Sequence, residues 1–187
     1  TGGSVRIPAS VNGIVGLKTT IGALSTEGVL PLSPLLDTVG PLTADTSDAA
    51  AMWSVLSGRP MADLTGCDLK GRLFIAAQDS LWTDVDPGID RACREAVAKL
   101  EAAGARVEWH DVPELDEAMQ AMIQMGGLVT TDAWSCWSEL IEADPGMIYK
   151  HMLPRFQSGT KQAGHDLLRL MRRLDELSVS LHRKLAG

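Results

Sequence analysis

Ser4 is the residue whose surroundings could do chemistry. It follows two glycines in the run Thr1-Gly2-Gly3-Ser4-Val5-Arg6-Ile7-Pro8. Glycine reaches backbone dihedrals closed to residues with a Cβ. A Gly-Gly pair therefore lets the chain turn sharply and aim successive N–H groups at one spot beside the hydroxyl. A hydroxyl nucleophile next to preorganised amide donors is what acyl transfer requires. Such a hydroxyl also needs a proton acceptor. The run begins at residue 1, so the activating group is expected upstream of this chain.

The other reactive side chains are spaced for structure. His110, His151, His165 and His182 are scattered and lack both metal-ligand spacing and a Ser-His-Asp setting. Cys67, Cys93 and Cys136 form no C-x-x-C pair. They predict neither a metal site nor a disulfide framework, and they suit a reducing, cytoplasmic compartment. No metal and no cofactor is expected. Lys18 closes a block of its own and reads as a strand-end residue. The tryptophans and methionines of 119–137 recur at helical intervals and read as core packing, with the lining of an acyl pocket as the alternative.

These groups must be positioned by a chain of 187 residues with 24 acidic and 17 basic side chains, a net charge of −7. That balance argues against direct nucleic-acid binding, which is dominated by Lys and Arg on phosphates. No run of 18 apolar residues predicts a membrane span. Residues 1–45 are dense in Gly, Pro, Ser and Thr, and Ile14-Val15-Gly16-Leu17 reads as a buried strand. The segments 28–32 and 37–41 read as ordered loops or edge strands, since proline is excluded from central ladders. Thr46 or Ser47 could cap a helix ending at Ser57, stopped by Gly58 and Pro60. Residues 61–71 form a polar connector.

Arg72–Ala77 has the apolar content of a buried strand. Asp86-Pro87 opens a helix whose face is Ile89, Cys93, Ala96, Val97 and Leu100. A second strand follows over 105–109. Strand, helix, strand with short links predicts a βαβ unit with parallel pairing. Helices are expected over 115–125 and 130–141, broken near Gly126-Gly127, with a turn at Asp144-Pro145-Gly146. A long amphipathic helix is expected over 164–185, with Leu167, Leu168, Met171, Leu174, Leu177 and Leu181 on one face. Nothing after it completes a sheet, so the chain reads as an incomplete part of a larger fold.

Several ordered blocks together resemble the core of the amidase signature family. They are Thr1 to Ala9, Asn12-Gly13-Ile14-Val15-Gly16-Leu17-Lys18, Gly28-Val29-Leu30-Pro31-Leu32-Ser33, Leu36-Asp37-Thr38-Val39-Gly40-Pro41 and Asp48-Ala49-Ala50. The resemblance implies an α/β fold, a mixed β-sheet flanked by helices, of which residues 1–187 form part of a single domain. Residues 1–60 would be the signature core and 61–187 a variable α/β and helical region. It further implies a Ser-Ser-Lys hydrolase with Ser4 as nucleophile. The N–H groups of Thr1, Gly2, Gly3 and Ser4 would form the oxyanion hole. The bridging serine before a cis peptide and the lysine base normally precede the nucleophile, and neither motif occurs here. Such a lysine, with a pKa near 10.4 in water, must be kept neutral by burial to act as a base.

Arg6 and Asp37 are opposite charges within these blocks. Buried charges must be paired, so both are expected to organise the loop around Ser4, pairing with each other. Arg155 falls where some amidotransferase subunits of the family hold a substrate carboxylate. The following Phe156-Gln157-Ser158-Gly159 departs from their pattern, and a helix-surface arginine suits the position better. Thr19 stands where proline commonly follows Gly-Leu-Lys, a change expected to loosen a turn.

The function expected is hydrolysis of a small carboxamide through a serine acyl-enzyme. One alternative is the amidase component of a tRNA-dependent amidotransferase, working with partner subunits. The Ala-Leu-Ser-Thr-Glu-Gly loop after Gly22 favours the plain amidase. Another alternative is a catalytically incomplete or non-enzymatic relative. The partner expected is an amide substrate; a homo-oligomer is left open.

Overall fold

The computed structural model describes residues 2–78 and 82–185. In chain order its elements are α1 (Arg6–Asn12), β1 (Val15–Gly16), β2 (Leu42–Thr43), α2 (Thr46–Ser57), β3 (Leu73–Ala77), α3 (Pro87–Ala102), β4 (Arg106–His110), α4 (Pro113–Met125), α5 (Leu128–Ala143), α6 (Leu153–Gln157) and α7 (Gly164–Leu185). Short 3-10 turns cover Pro145–Met147 and Ser158–Lys161. The chain forms two compact units, Thr1–Thr65 with Gly127–Gln162, and Gly66–Gly126 with Ala163–Gly187.

In the first unit, α1 was not expected from the sequence. Pro8 stands in its first turn, where the missing N–H is no loss. Gly13 ends it in the left-handed region at φ 65°, as helix C-termini favour. Only Ala9 of α1 is buried, while Ile7 and Val11 face solvent. A helix with no apolar stripe gives no periodic signal.

β1 pairs antiparallel with β2, Val15 opposite Thr43 and Gly16 opposite Leu42. The segments 28–32 and 37–41 are loops. The ladder extends beyond the strands. Leu17 N donates to Pro41 O at 3.1 Å, and the Thr19 hydroxyl donates to Val39 O at 2.8 Å. Thr19 is buried, so it ties down the turn it was expected to loosen. Asp45 caps α2, its carboxylate accepting from Asp48 N at 2.9 Å. Thr46 and Ser47, the expected caps, lie inside the helix. α5 buries Leu128, Ala133 and Ile141. Gly159 lets the 158–161 turn meet α5, since a Cβ there would lie 2.2 Å from Thr130 O.

In the second unit, β3 and β4 pair in parallel from Leu73 opposite Arg106 to Ala77 opposite His110, the βαβ arrangement expected. Asp86 caps α3 through Gly88 N at 2.7 Å, and Pro87 takes its first position. α7 packs on α4 through Leu170 and Leu177, both buried with Ala121. Leu168 and Met171, expected on that face, are exposed. The packed stripe follows Leu167, Leu170, Leu174 and Leu177, the spacing by which one helical face recurs. Met119 and Ile123 on α4 are likewise exposed.

Glu114, in the first turn of α4, is also buried. Its Oε1 accepts from Ser180 Oγ at 2.8 Å and Lys184 Nζ at 2.6 Å. The Lys184 hydrogen bond first, then the backbone and Ser180 bonds, hold the carboxyl down at about 2.

Candidate active site

The candidate nucleophile lies at a corner that the sequence makes by glycine. Gly3 is buried at φ 140°, a conformation residues with a Cβ rarely adopt. A Cβ on Gly3 would also lie 2.7 Å from Ile7 Cδ1. Ser4 follows at once, exposed, in the turn that leads into α1. Gly3 O accepts from Ile7 N at 2.8 Å, and Val5 O from Ala9 N at 3.3 Å. These bonds fix the corner to the helix it starts. Among the described residues, the N–H groups of Gly3 and Ser4 donate to no other group. Thr1, the first residue of the expected amide turn, lies outside the described residues.

Two further glycines let the backbone close around this corner. A Cβ on Gly16 would meet Ala9 Cβ and Val5 O, each at 2.7 Å. A Cβ on Gly40 would meet Leu17 O at 2.2 Å and Val5 Cγ2 at 3.3 Å. The residue next to Ser4 is thus gripped by β1 and by the loop before β2. Both glycines lie in the signature-like blocks, but their sequence setting alone does not reveal that they touch Val5.

Arg6 and Asp37 do not pair. Arg6 is exposed and forms no ion pair among the described residues. Asp37 is half-buried and serves the backbone. Its Oδ2 accepts from Leu32 N at 2.8 Å and Ser33 N at 3.0 Å. Two backbone amides satisfy the carboxylate where an arginine was expected. Lys18 donates to Thr19 O at 2.7 Å, a strand-end role. It also lines an open cleft of about 470 Å³ with Thr46, Ala49 and Trp53. Among the described residues, no basic side chain bonds Ser4.

The loop over 31–37 is held from α5 by residues that sequence reasoning missed. Asp132 Oδ2 accepts from Ser33 Oγ at 2.7 Å and Leu35 N at 3.0 Å. Trp137 Nε1 donates to Pro31 O at 2.7 Å. Ser33 is 0% exposed. These partners lie about a hundred residues apart in sequence, beyond any local pattern. Beside them is a cavity of about 150 Å³ lined by Leu32, Val129, Ala133, Met152, Arg155 and Phe156. Arg155 is exposed on α6, as a helix-surface arginine, with its side chain at this cavity.

No group of three or more His, Cys, Asp or Glu side chains among the described residues could hold a metal ion. His110 pairs with Glu108 at 3.0 Å, and Cys67, Cys93 and Cys136 are free thiols. No helix among the described residues is long and apolar enough to cross a membrane.

Comparison with known proteins bears on the family and the fold. A family model described as Amidase matches residues 1–171. Indoleacetamide hydrolase of Pseudomonas syringae pv. syringae is 31% identical over 208 residues, spanning 100% of this chain and 46% of that protein. A glutamyl-tRNA(Gln) amidotransferase subunit of Symbiobacterium thermophilum is 36% identical over 134 residues, spanning 65% of this chain and 28% of that protein. A crystal structure of an amidase superposes with a TM-score of 0.85 at 26% identity, covering 100% of this chain and 42% of its own. The chain spans less than half the length of each of these proteins. Its mixed α/β fold is that of amidases, and the chain belongs to the amidase family.

Proposed function

We propose that this chain supplies the nucleophile and the oxyanion donors of an amidase that hydrolyses the carbon–nitrogen bond of a carboxamide. The observation that carries the reading is the Gly3–Ser4 corner: a positive-φ glycine followed by an exposed hydroxyl, whose next residue, Val5, is packed closely by Gly16 and Gly40. In this reading Ser4 Oγ attacks the amide carbon. The carbonyl oxygen becomes an oxyanion held by the N–H groups of the corner, each donor contributing about 2.7–4 kcal/mol by analogy with other such sites. The C–N bond breaks, ammonia or an amine leaves with a proton, and water hydrolyses the acyl-enzyme. The proton acceptor is a lysine relayed through a second serine, as the family resemblance implies; Lys18 is committed to Thr19 O. The three free thiols support a reducing, cytoplasmic setting.

The test is Ser4→Ala in the protein that carries these residues, read by ammonia release from simple carboxamides. Turnover is expected to vanish, and the acyl-enzyme mass seen on the wild-type protein with it. Near-normal release by the variant refutes the assignment.

A second reading is a glutamine-hydrolysing amidotransferase component, favoured by the likeness to the Symbiobacterium thermophilum protein. It predicts ammonia release from glutamine only with partner subunits and tRNA present. Hydrolysis of simple amides by the protein alone decides for the first reading.

A further inference from the structure

We propose that Asp132 is a positioning residue, holding one wall of a subsite that receives a single compact apolar group of the amide substrate. The inference rests on the amidase reading above and names the kind of substrate that site takes.

The cavity of about 150 Å³ is lined by Val129, Thr130 and Ala133 of α5 and by Met152, Arg155 and Phe156 at α6, so its surface is mainly apolar with one cation at the edge. A mainly apolar pocket of roughly this volume has room for a benzene-sized group. Its remaining wall is Leu32, in a loop with no regular secondary structure. That loop keeps its place through side-chain bonds. Asp37 takes Leu32 N and Ser33 N, Trp137 takes Pro31 O, and Asp132 takes Ser33 Oγ and Leu35 N. Asp132 stands one residue from Ala133, which is 3% exposed and lines the same cavity. One side chain therefore fixes the distance between the loop wall and the α5 wall.

The same loop runs on to the nucleophile. Past Asp37, Val39 O accepts from the Thr19 hydroxyl. Gly40 then packs on Leu17 O and on Val5, the neighbour of Ser4. A single stretch of backbone thus walls the cavity at one end and supports the reactive corner at the other. A carboxylate is the acceptor this geometry needs. One oxygen takes both a hydroxyl and an amide proton, and an asparagine amide of the same size cannot accept as strongly.

The experiment uses benzamide and acetamide as probes on the wild-type protein, Asp132→Asn and Ala133→Leu. Hydrolysis gives the ratio of kcat/KM for benzamide to that for acetamide. Calorimetry on the Ser4→Ala background gives benzamide affinity without turnover. Both variants are expected to lower the ratio about tenfold, chiefly through KM, and to weaken benzamide binding by a similar factor, as pocket changes of about one side-chain group do. A shift under about threefold in both readouts overturns the proposal, as does benzamide that neither binds nor reacts. If Asp132→Asn does not fold, Ala133→Leu, which fills the cavity from the other side, decides alone. Benzamide bound in an Asp132-dependent way without any hydrolysis leaves the subsite standing and removes the amidase reading. Ser4-dependent hydrolysis with an unmoved ratio does the reverse.

Discussion

Replacing Gly16 by alanine tests whether close backbone packing aligns Ser4. The added methyl would lie 2.7 Å from Ala9 Cβ and 2.7 Å from Val5 O. Ordinary contact begins at 3.4 Å, so each neighbour must retreat by about 0.7 Å to regain a favourable separation. Neither can yield alone. Ala9 is the buried residue of α1, and Val5 O is itself bonded in the first turn, accepting from Ala9 N. The retreat therefore moves the first turn of α1 with Ser4 attached. Overpacking of this kind costs about 1–3 kcal/mol of stability, which for a chain of this size lowers Tm by roughly 2–12 °C. A 1 Å misplacement of a catalytic group costs about a hundredfold in rate, so kcat should fall roughly 10- to 100-fold with KM much less affected. The assay is steady-state amide hydrolysis beside thermal unfolding. Gly164→Ala serves as control, because a Cβ there meets nothing within 4 Å. Full kcat at an unchanged Tm in Gly16→Ala would show that the glycine clasp does not position the nucleophile.

Other perturbations probe the supports. Leu170→Ala removes a side chain that is 0% exposed and should cost about 2–5 kcal/mol in urea unfolding; a loss under about 1 kcal/mol would contradict the α4–α7 packing. Glu114 is held at about 2 against an ordinary 4.5, so its contribution is complete above pH 4.5 and is lost as pH falls from there toward 2. Lys184→Met should flatten that part of the stability–pH curve, and an unaltered acid limb would rule out the contact as its source. Trp137→Phe keeps a ring but loses the donor to Pro31 O. It should cost about 1 kcal/mol and shift the benzamide-to-acetamide ratio in the direction of Asp132→Asn. An unshifted ratio would disconnect the loop from specificity.

Sequence carried the elements whose signals are local. Asp86-Pro87 announces α3, and two apolar runs around it announce the parallel pair β3 and β4. Gly126-Gly127 marks the break between α4 and α5. α1 was hidden because it buries only Ala9 and so shows no stripe. The α7 face was read in part: Leu167, Leu174 and Leu177 belong to the packed stripe, but exposed Leu168 and Met171 were counted with them and buried Leu170 was missed, because apolar residues lie on both sides of the contact line. At the site, the Gly-Gly-Ser run and the blocks around it were readable. The service each polar group performs was not. Asp37 and Arg6 looked like an ion pair from charge alone, yet backbone amides claim the carboxylate. Asp132 gave no signal, since the partners of its carboxylate lie about a hundred residues away.

The Ser33–Asp132 bond joins residues 99 positions apart. At about 5–20 residues per second, roughly 5–20 s of synthesis separate the emergence of the two. Throughout that interval the nascent 31–37 loop has Asp37 but not α5 to hold it, and its apolar neighbours stay wet. Contacts of such long sequence separation also close slowly once both ends exist. The loop that supports the reactive corner therefore gains its α5 clamp only after Asp132 has been made.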